Sequence, residues 1–537
     1  MKYIVVTGGV ISGLGKGITT ASIGRNLKNR GYAVTAIKID PYLNVDAGLI
    51  SPLQHGEIFV LKDGGEVDLD LGNYERFLDT ELKAGHDITT GKVYQSVINK
   101  ERRGEYRGKT VQIIPHITNE IKYLIRRAAQ ESEADVCLIE VGGTVGDIES
   151  MFFLEALRLM KQEEKKNMKF IHVSLAFNDT QGEQKTKPTQ HSIKEMRTVG
   201  LSPDFIVVRT DTPLQKNTKE KISLFCDVSQ EYVISAHTVS NLYDLPQVLE
   251  EQKLTDYLIK ELNLPSKGNK IDQEWNKVTK KMKEISERDD STAIKVAVIG
   301  KYTKLADSYM SIFEGLKHAS THSDIKVLTE LISSDEFEKD EKNVEKLANF
   351  DGILIPGGFG ERGTQGMINA IKYARENDIP FLGICMGHQL MVIEYARNVI
   401  GIKDANTTEF DEMTKSPVVT LAAENKNVAG FNGMMRLGNY EFDIKPGTLL
   451  EKIYKKETAT ERHRNRYEVN TEYSNILQEN GLVFSGYRNG HIEAAELPGK
   501  KFYLGVQYHP EFKSKPNRAS EVLVGFVDAI KNEKQKK

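Results

Sequence analysis

At 537 residues the chain is too long for one hydrophobic core, and length alone predicts about three domains. Its composition, 39% hydrophobic and 28% charged, is that of an ordinary globular protein and excludes a disordered or fibrous chain. A net charge of -3 excludes a general polyanion binder, so no nucleic-acid partner is expected, and no apolar run reaches the ~20 residues of a membrane-spanning helix, so no membrane partner is expected either.

In chain order, the β-branched run Tyr3 to Thr7 predicts a strand that enters Gly8-Gly-Val-Ile-Ser-Gly-Leu-Gly-Lys16-Gly17, followed by a helix near Thr19 to Arg30. No signal-peptide organisation precedes the glycines, and Cys137, Cys226 and Cys385 show no paired spacing. Both features fit a reducing, cytoplasmic location. Val34 to Ile39, Asp135 to Glu140, Phe170 to Leu175 and Phe205 to Val208 are further expected strands. Buried runs alternating with helices predict a parallel sheet covered on both faces.

The glycine-rich turn between strand and helix has the context of a P-loop, where backbone N–H groups and a lysine cradle phosphate. It departs from the usual pattern twice: Val10 stands where a glycine is expected, and Gly17 replaces the hydroxyl residue after Lys16. A magnesium ion deprived of that hydroxyl would need carboxylates, and Asp68, Asp70 and Glu140 lie at predicted strand ends. Lys38 is placed to join Lys16 over a transferring phosphoryl group. Lys185-Thr-Lys-Pro-Thr-Gln-His-Ser192 is a second polar cluster, read either as a solvated basic loop or as a second nucleotide site.

Pro265-Ser-Lys-Gly268 breaks the pattern. Ile271, Trp275, Val278, Met282 and Ile285 then recur at helical spacing up to Asp289-Asp-Ser291. The predicted organisation is a first domain over 1–265, a helical linker over 266–292 and a second domain over 293–537. Within the last, Ile294 to Gly300, Asp351 to Ile355 and Pro380 to Ile384 are expected strands. The fold class is α/β in both domains.

Gly383-Ile-Cys385-Met-Gly387 sits between a strand and the helical run Gln389 to Ala396, the cysteine form of a nucleophile elbow. Flanking glycines are expected because the tight turn leaves no room for side chains and strains its dihedrals, and the helix N-terminus favours thiolate. His509-Pro-Glu511 follows the expected strand Tyr503 to Gln507, and alternation along an extended segment would bring imidazole and carboxylate together. Pro356-Gly-Gly-Phe-Gly360 can aim backbone N–H groups at an oxyanion. Singly, each motif has an ordinary structural explanation; together they describe a thiolate, a base, an orienter and an oxyanion site.

This set resembles the class I glutamine amidotransferase family. The resemblance implies Cys385 as nucleophile, His509 as base, Glu511 as orienter, and glutamine contacts from Gly358, Phe359, Met386, Gly387, His388, Gln389, Glu409 and Arg466. Ser12 to Gly17, Lys38 to Asp46, Ser51 to Gly56, Asp68 to Gly72, Glu140 to Glu149 and Lys185 to Ser192 are strings that resemble the CTP synthase family. They imply an N-terminal P-loop-type synthetase domain joined to a C-terminal amidotransferase domain. The implied chemistry is amination of UTP to CTP with ATP, Mg2+ and glutamine, with GTP as activator, CTP as feedback inhibitor and a homotetrameric assembly. ATP is assigned to Gly13, Leu14, Gly15, Lys16, Gly17, Ile18, Asp70 and Val239, and magnesium to Asp70 and Glu140. UTP and CTP are assigned to Ser12, Asp147, Ile148, Glu149, Lys185, Thr186, Lys187, Pro188, Thr189, Gln190 and Lys221, and catalysis also to Lys16 and Lys38.

Ammonia must pass between sites without protonation, and His55 and the Arg102 to Arg107 segment are expected to gate it. Departures from the family pattern fall at Arg107, at Ala176 to Thr180, at Asn432 to Arg436 and at His237; none removes a catalytic group. The rival enzymatic reading is another glutamine-fed P-loop amidoligase, which lacks the 185–192 string. A non-catalytic scaffold would lack the nucleophile or base.

Overall fold

The computed structural model describes residues 1–267, 273–422 and 435–536. Its contacts divide the chain into two units, one of Met1–Ala47 with Asp70–Thr279 and one of Gly48–Leu69 with Lys280–Lys537.

In the first unit seven strands form a wholly parallel sheet. Their spatial order is Val233–His237, Phe205–Thr210, Met168–Leu175, Lys2–Gly8, Val136–Val141, Val34–Asp40 and Asp87–Thr89. The first strand in sequence is thus the middle strand in space. Ile4, Val5 and Val6 are fully buried because helices cover both faces of the sheet, which is why such strands read as continuous apolar runs. The loop after Gly8 leaves at the carboxyl edge, where strand order reverses and open α/β sheets gather their ligands. The helix Lys16–Asn29 follows it directly.

The helix Glu274–Ser286 forms where the apolar repeat predicts it. Trp275 is buried against Phe77 and Tyr243, with the Arg25 guanidinium 5.0 Å from its ring. Ile271, the first residue of that repeat, lies outside the described residues, as do Asn432, Gly433 and Met434.

The second unit is built on a nine-stranded sheet. Val327–Ser333, Ile294–Gly300, Gly352–Ile355, Phe381–Ile384 and Tyr503–Val506 are parallel neighbours; the last four were expected strands, whereas the half-exposed edge strand Val327–Ser333 was not. The sheet then continues antiparallel through His491–Glu496, Val483–Arg488, Arg436–Ile444 and Thr458–Asn465, an extension the sequence did not announce. Separate apolar clusters cover its two faces. The hairpin of Ile58–Val60 with Glu66–Asp68, from the N-terminal part of the chain, also belongs to this unit. Among the described residues no helix is long and apolar enough to cross a membrane.

Candidate active sites

In the second unit, Cys385 ends the strand Phe381–Ile384 and caps the helix Met386–Tyr395. Its φ of 51° and ψ of -103° put a non-glycine residue in the left-handed half of dihedral space, so the strain falls on the nucleophile itself. The flanking glycines answer to the lack of room in the tight turn. A Cβ on Gly387 would lie 2.3 Å from the Ile355 carbonyl oxygen, and one on Gly383 would lie 2.6 Å from that of Gly387. They are required by close approach of backbone, not by dihedral freedom.

His509 Nδ1 is 2.7 Å from Glu511 Oε1. The expectation that this pair arises from alternation along an extended segment is wrong. The strand stops at Val506, and Pro510 starts the 3-10 turn Pro510–Lys513, which folds the carboxylate back onto the ring. His509 Nε2 has no other hydrogen bond and is coupled to the Cys385 sulfur. Burial disfavours the imidazolium, but the Glu511 carboxylate and then the Cys385 sulfur outweigh it and push His509 up to about 10. A Cβ on Gly357 would sit 2.7 Å from His509 Cε1 and 3.4 Å from Cys385 Cβ, so that glycine leaves the gap in which the two meet. The Cys385 Sγ is 3.6 Å from the Arg464 carbonyl oxygen and 3.7 Å from Gln507 Nε2.

A cavity of about 470 Å³ opens onto these groups. Gly358, Phe359, Glu409 and Arg466, four of the residues assigned to glutamine, line it. Met386, Gly387, His388 and Gln389 do not: they lie on the buried helix behind the sulfur. The His388 ring packs on Gly505, and burial lowers it to about 4. Gln389 Nε2 instead donates to the Tyr467 carbonyl and to Gln507 Oε1. Glu409 accepts from the Gly360 N–H at 2.7 Å, and burial raises its carboxyl.

Several contributors escaped the sequence reading. Lys301, 3% exposed, donates to the carbonyls of Phe359 (3.1 Å) and Gly360 (2.5 Å), fixing the orientation of the loop from Gly357 to Gly360. Burial outweighs nearby carboxylates and lowers its ammonium to about 8. Its signal was available: it follows the strand Ile294–Gly300 at the carboxyl edge. Arg464 bonds to Glu66 at 2.8 Å and to the Gly48 carbonyl, and its guanidinium lies 5.0 Å from the Phe359 ring. Glu57 receives the N–H and hydroxyl of Ser311. No local pattern marks Glu57 or Glu66 as belonging with these residues.

In the first unit, the Lys16 Nζ donates to the Gly143 carbonyl at 2.9 Å, and burial lowers its ammonium. Val10 takes a φ of 82°: the loop needs the dihedral glycine would supply, and a β-branched residue adopts it at a cost of about 1–2 kcal/mol. Gly17 explains the other departure from the P-loop pattern. A Cβ there would lie 1.9 Å from Asp70 Oδ1, so the carboxylate occupies the space where the usual hydroxyl residue would begin. Lys38 Nζ is bonded to Asp70 and, at 3.0 Å, to Glu140, whose other oxygen accepts from the Tyr74 hydroxyl. Lys38 holds the Asp70 carboxyl below its ordinary value against burial, whereas burial dominates at Glu140 and raises it.

Among the described residues no three His, Cys, Asp or Glu side chains gather into a self-contained metal site. Two carboxylates converging on one cation are nevertheless the donor set that suits magnesium carried in on nucleotide phosphates, since that ion retains water and phosphate ligands. The residues fit the group.

The other nucleotide assignments are more dispersed. Val145 N–H bonds the Gly8 carbonyl, which ties the start of the loop carrying Asp147, Ile148 and Glu149 to the phosphate loop. Those three residues are exposed, Ile148 at 80%, and so is Ser12. Lys185 is paired with Asp179 at 2.9 Å and Glu183 at 2.5 Å, and Lys221 lies 3.9 Å from Glu183. Thr186 caps the helix Lys187–Thr198, which carries Pro188, Thr189 and Gln190. Gly13, Leu14 and Gly15 complete the loop before Lys16 and Ile18, and Val239 follows the edge strand Val233–His237. His55 falls in the second unit and Arg102 to Arg107 in the first.

Two family models match the chain: one described as CTP synthase N-terminus over residues 2–264, the other as glutamine amidotransferase class-I over 304–529. The chain is 60% identical to the CTP synthase of Methanosarcina mazei and 59% to that of Methanosarcina acetivorans, each over 99% of this chain and 98% of the relative. It is 58% identical to the CTP synthase of Methanococcoides burtonii over the full length of both. A strained cysteine at a strand-to-helix turn in one unit, a glycine-rich strand-to-helix loop in the other and a likeness that runs from end to end lead to one assignment: the chain belongs to the CTP synthase family.

Proposed function

We propose that this chain converts UTP to CTP with ATP and with ammonia taken from glutamine. The observation that carries the reading is the strained Cys385 coupled to a His509 whose proton is held by Glu511. In this reading Cys385 attacks the glutamine side-chain amide, and His509 hands its proton to the departing ammonia. Water then releases glutamate from the thioester. Gly358 and its neighbours, braced by Lys301, supply N–H groups to the oxyanion. Glu409 and Arg466 are the partners for the ammonium and carboxylate of the substrate.

In the first unit the uracil 4-oxygen attacks the γ-phosphorus of ATP and ADP departs. Ammonia adds at C4, loses a proton, and phosphate leaves. Lys16 and Lys38 offset charge on the transferring group. Asp70 and Glu140 would hold magnesium, which would supply charge neutralisation to the phosphoryl transfer. Gly13 to Ile18 and Val239 form the ATP set, while Ser12, 147–149, 185–190 and Lys221 form the pyrimidine nucleotide set. GTP activation, CTP inhibition, a homotetramer and a cytoplasmic location belong to the same proposal and rest on family membership. So does the division into a synthetase domain over 1–265, a linker and an amidotransferase domain from 293.

The test is CTP formation from UTP, ATP and Mg2+ with either glutamine or ammonia. Cys385→Ala should abolish the glutamine-supported reaction and spare the ammonia-supported one, whereas Lys16→Ala should abolish both. Equal loss of both reactions in Cys385→Ala would sink the division of labour.

A further inference from the structure

Ser192 closes the signature string of the first unit, yet no nucleotide role falls to it. It sits on the buried face of the helix Lys187–Thr198 with Thr189, Ile193 and Met196. Its hydroxyl lies 2.7 Å from His172 Nε2, and His172 Nδ1 lies 2.9 Å from Thr7 Oγ1. Thr7 and His172 are register partners on adjacent parallel strands, so their side chains share a face. Thr7 and His172 are wholly buried, and Ser192 is 5% exposed.

The array ends at the phosphate loop. A Cβ on Gly9 would lie 1.5 Å from Ser192 Oγ and 3.1 Å from His172 Nε2, so the serine hydroxyl fills the space that Gly9 leaves empty. The same helix is fastened at its start by the Thr189 hydroxyl, which donates to the Leu175 carbonyl at 2.9 Å. Burial, reinforced by Lys16, lowers His172 to about 3 and keeps it neutral, with one donor and one acceptor nitrogen. One wiring satisfies every group: Ser192 donates to Nε2, Nδ1 donates to Thr7 Oγ1, and Thr7 donates to the Ile171 carbonyl at 3.5 Å. Three polar side chains in a region that apolar residues could fill bring direction rather than burial energy. Direction fixes the rotation of the helix and the height of the loop above it.

We propose that the buried Thr7–His172–Ser192 array ties the phosphate loop to the helix bearing Lys187 to Gln190, making Ser192 and His172 positioning residues that hold both nucleotide sites in shape for binding. The inference rests on the nucleotide assignments under Proposed function. If it holds, loosening either end of the array weakens both nucleotides together and leaves their chemistry largely intact.

The test uses the full chain with ammonia as nitrogen source, varying ATP and UTP in turn. Ser192→Ala and Thr7→Val, the latter isosteric but without the hydroxyl, should each raise the KM for both ATP and UTP about tenfold, with kcat changed less than threefold. Thr7→Ser keeps the hydroxyl and should stay within twofold of the parent in both constants. A role confined to stability would lower the melting temperature of Ser192→Ala and Thr7→Val while leaving both KM values in place, and that result overturns the proposal. So does a shift in the KM of one nucleotide alone. Should Thr7→Val fail to fold, Ser192→Ala decides by itself. A parent protein that makes no CTP from ammonia overturns the reading of function as well, which separates the two failures.

Discussion

Replacing Glu511 by glutamine keeps the side chain's shape and removes its charge. His509 is held at about 10 rather than 6.5, with the Glu511 carboxylate the first of the groups that raise it against the opposing effect of burial. At 1.36 kcal/mol per unit the difference is about 5 kcal/mol of preference for the protonated ring. The carboxylate is the largest of the groups that raise the ring, so losing it removes on the order of 2 kcal/mol of that preference, some tens of fold in the population of the protonated ring. Glutamine-dependent CTP formation and glutamine hydrolysis should therefore fall by some tens of fold in kcat/KM. The assay is glutamate release alongside CTP formation, run with glutamine and, separately, with ammonia. Ammonia-dependent synthesis should stay within twofold, because the phosphate loop is built in the other unit. A glutamine-dependent loss below threefold would refute the argument that Glu511 sets the proton on His509.

Gly17→Ser restores the ordinary P-loop hydroxyl but drives a Cβ to within 1.9 Å of Asp70 Oδ1. It should lower CTP formation from either nitrogen source by at least about tenfold, and rates unchanged with both would contradict the placement of Asp70. Glu461 is buried and raised to about 7, mainly by burial, with Tyr454 donating to it at 3.0 Å. A folded-state value above the unfolded 4.5 stabilises fully below about pH 4.5, and that contribution is lost as pH rises through about 7. Denaturant titrations should show the parent losing about 3 kcal/mol between pH 5 and 8 relative to Glu461→Gln, and parallel curves would refute it. Glu493 runs the opposite way, because hydrogen bonds and charge from His463 and the Arg436 guanidinium outweigh burial and hold it at about 2. Its stabilisation should therefore persist above about 4.5 and fail only in strong acid, which acid unfolding of Glu493→Gln against the parent would reveal.

The parts legible in the sequence are those decided over a few residues. Ile4 to Val6 and Val296 to Ile299 read as parallel strands because burial on both faces leaves no polar alternation. Cys385 between its glycines read as an elbow because the motif spans five residues, although the Ile355 carbonyl that makes Gly387 necessary comes from another strand. His509 and Glu511 were found as a pair, but the 3-10 turn that joins them was not, since proline admits both an extended and a turning continuation. The antiparallel strands Arg436–Ile444 and Thr458–Asn465 escaped because their runs mix charge with apolar residues and their pairing is set from afar. Lys301 and Arg464 act through partners remote in sequence, so only the fold assembles them. Gly17 looked like a defect in a motif until Asp70 appeared beside it.

The segment Gly48–Leu69 has a consequence for how the gene can be divided. Its Glu57, Phe59 and Glu66 are committed to Ser311, Phe512 and Arg464, so the backbone changes units three times, after 47, 69 and 279. A protease nicking the connector would leave a covalent thread still stitched into the glutamine-handling half. Cloning that half alone from residue 293 would strip a wall from its own cavity and orphan the Arg464 guanidinium. Recombination that swaps one half for a homologue's must therefore carry this short insert with it, and the two enzymes cannot be traded as free cassettes.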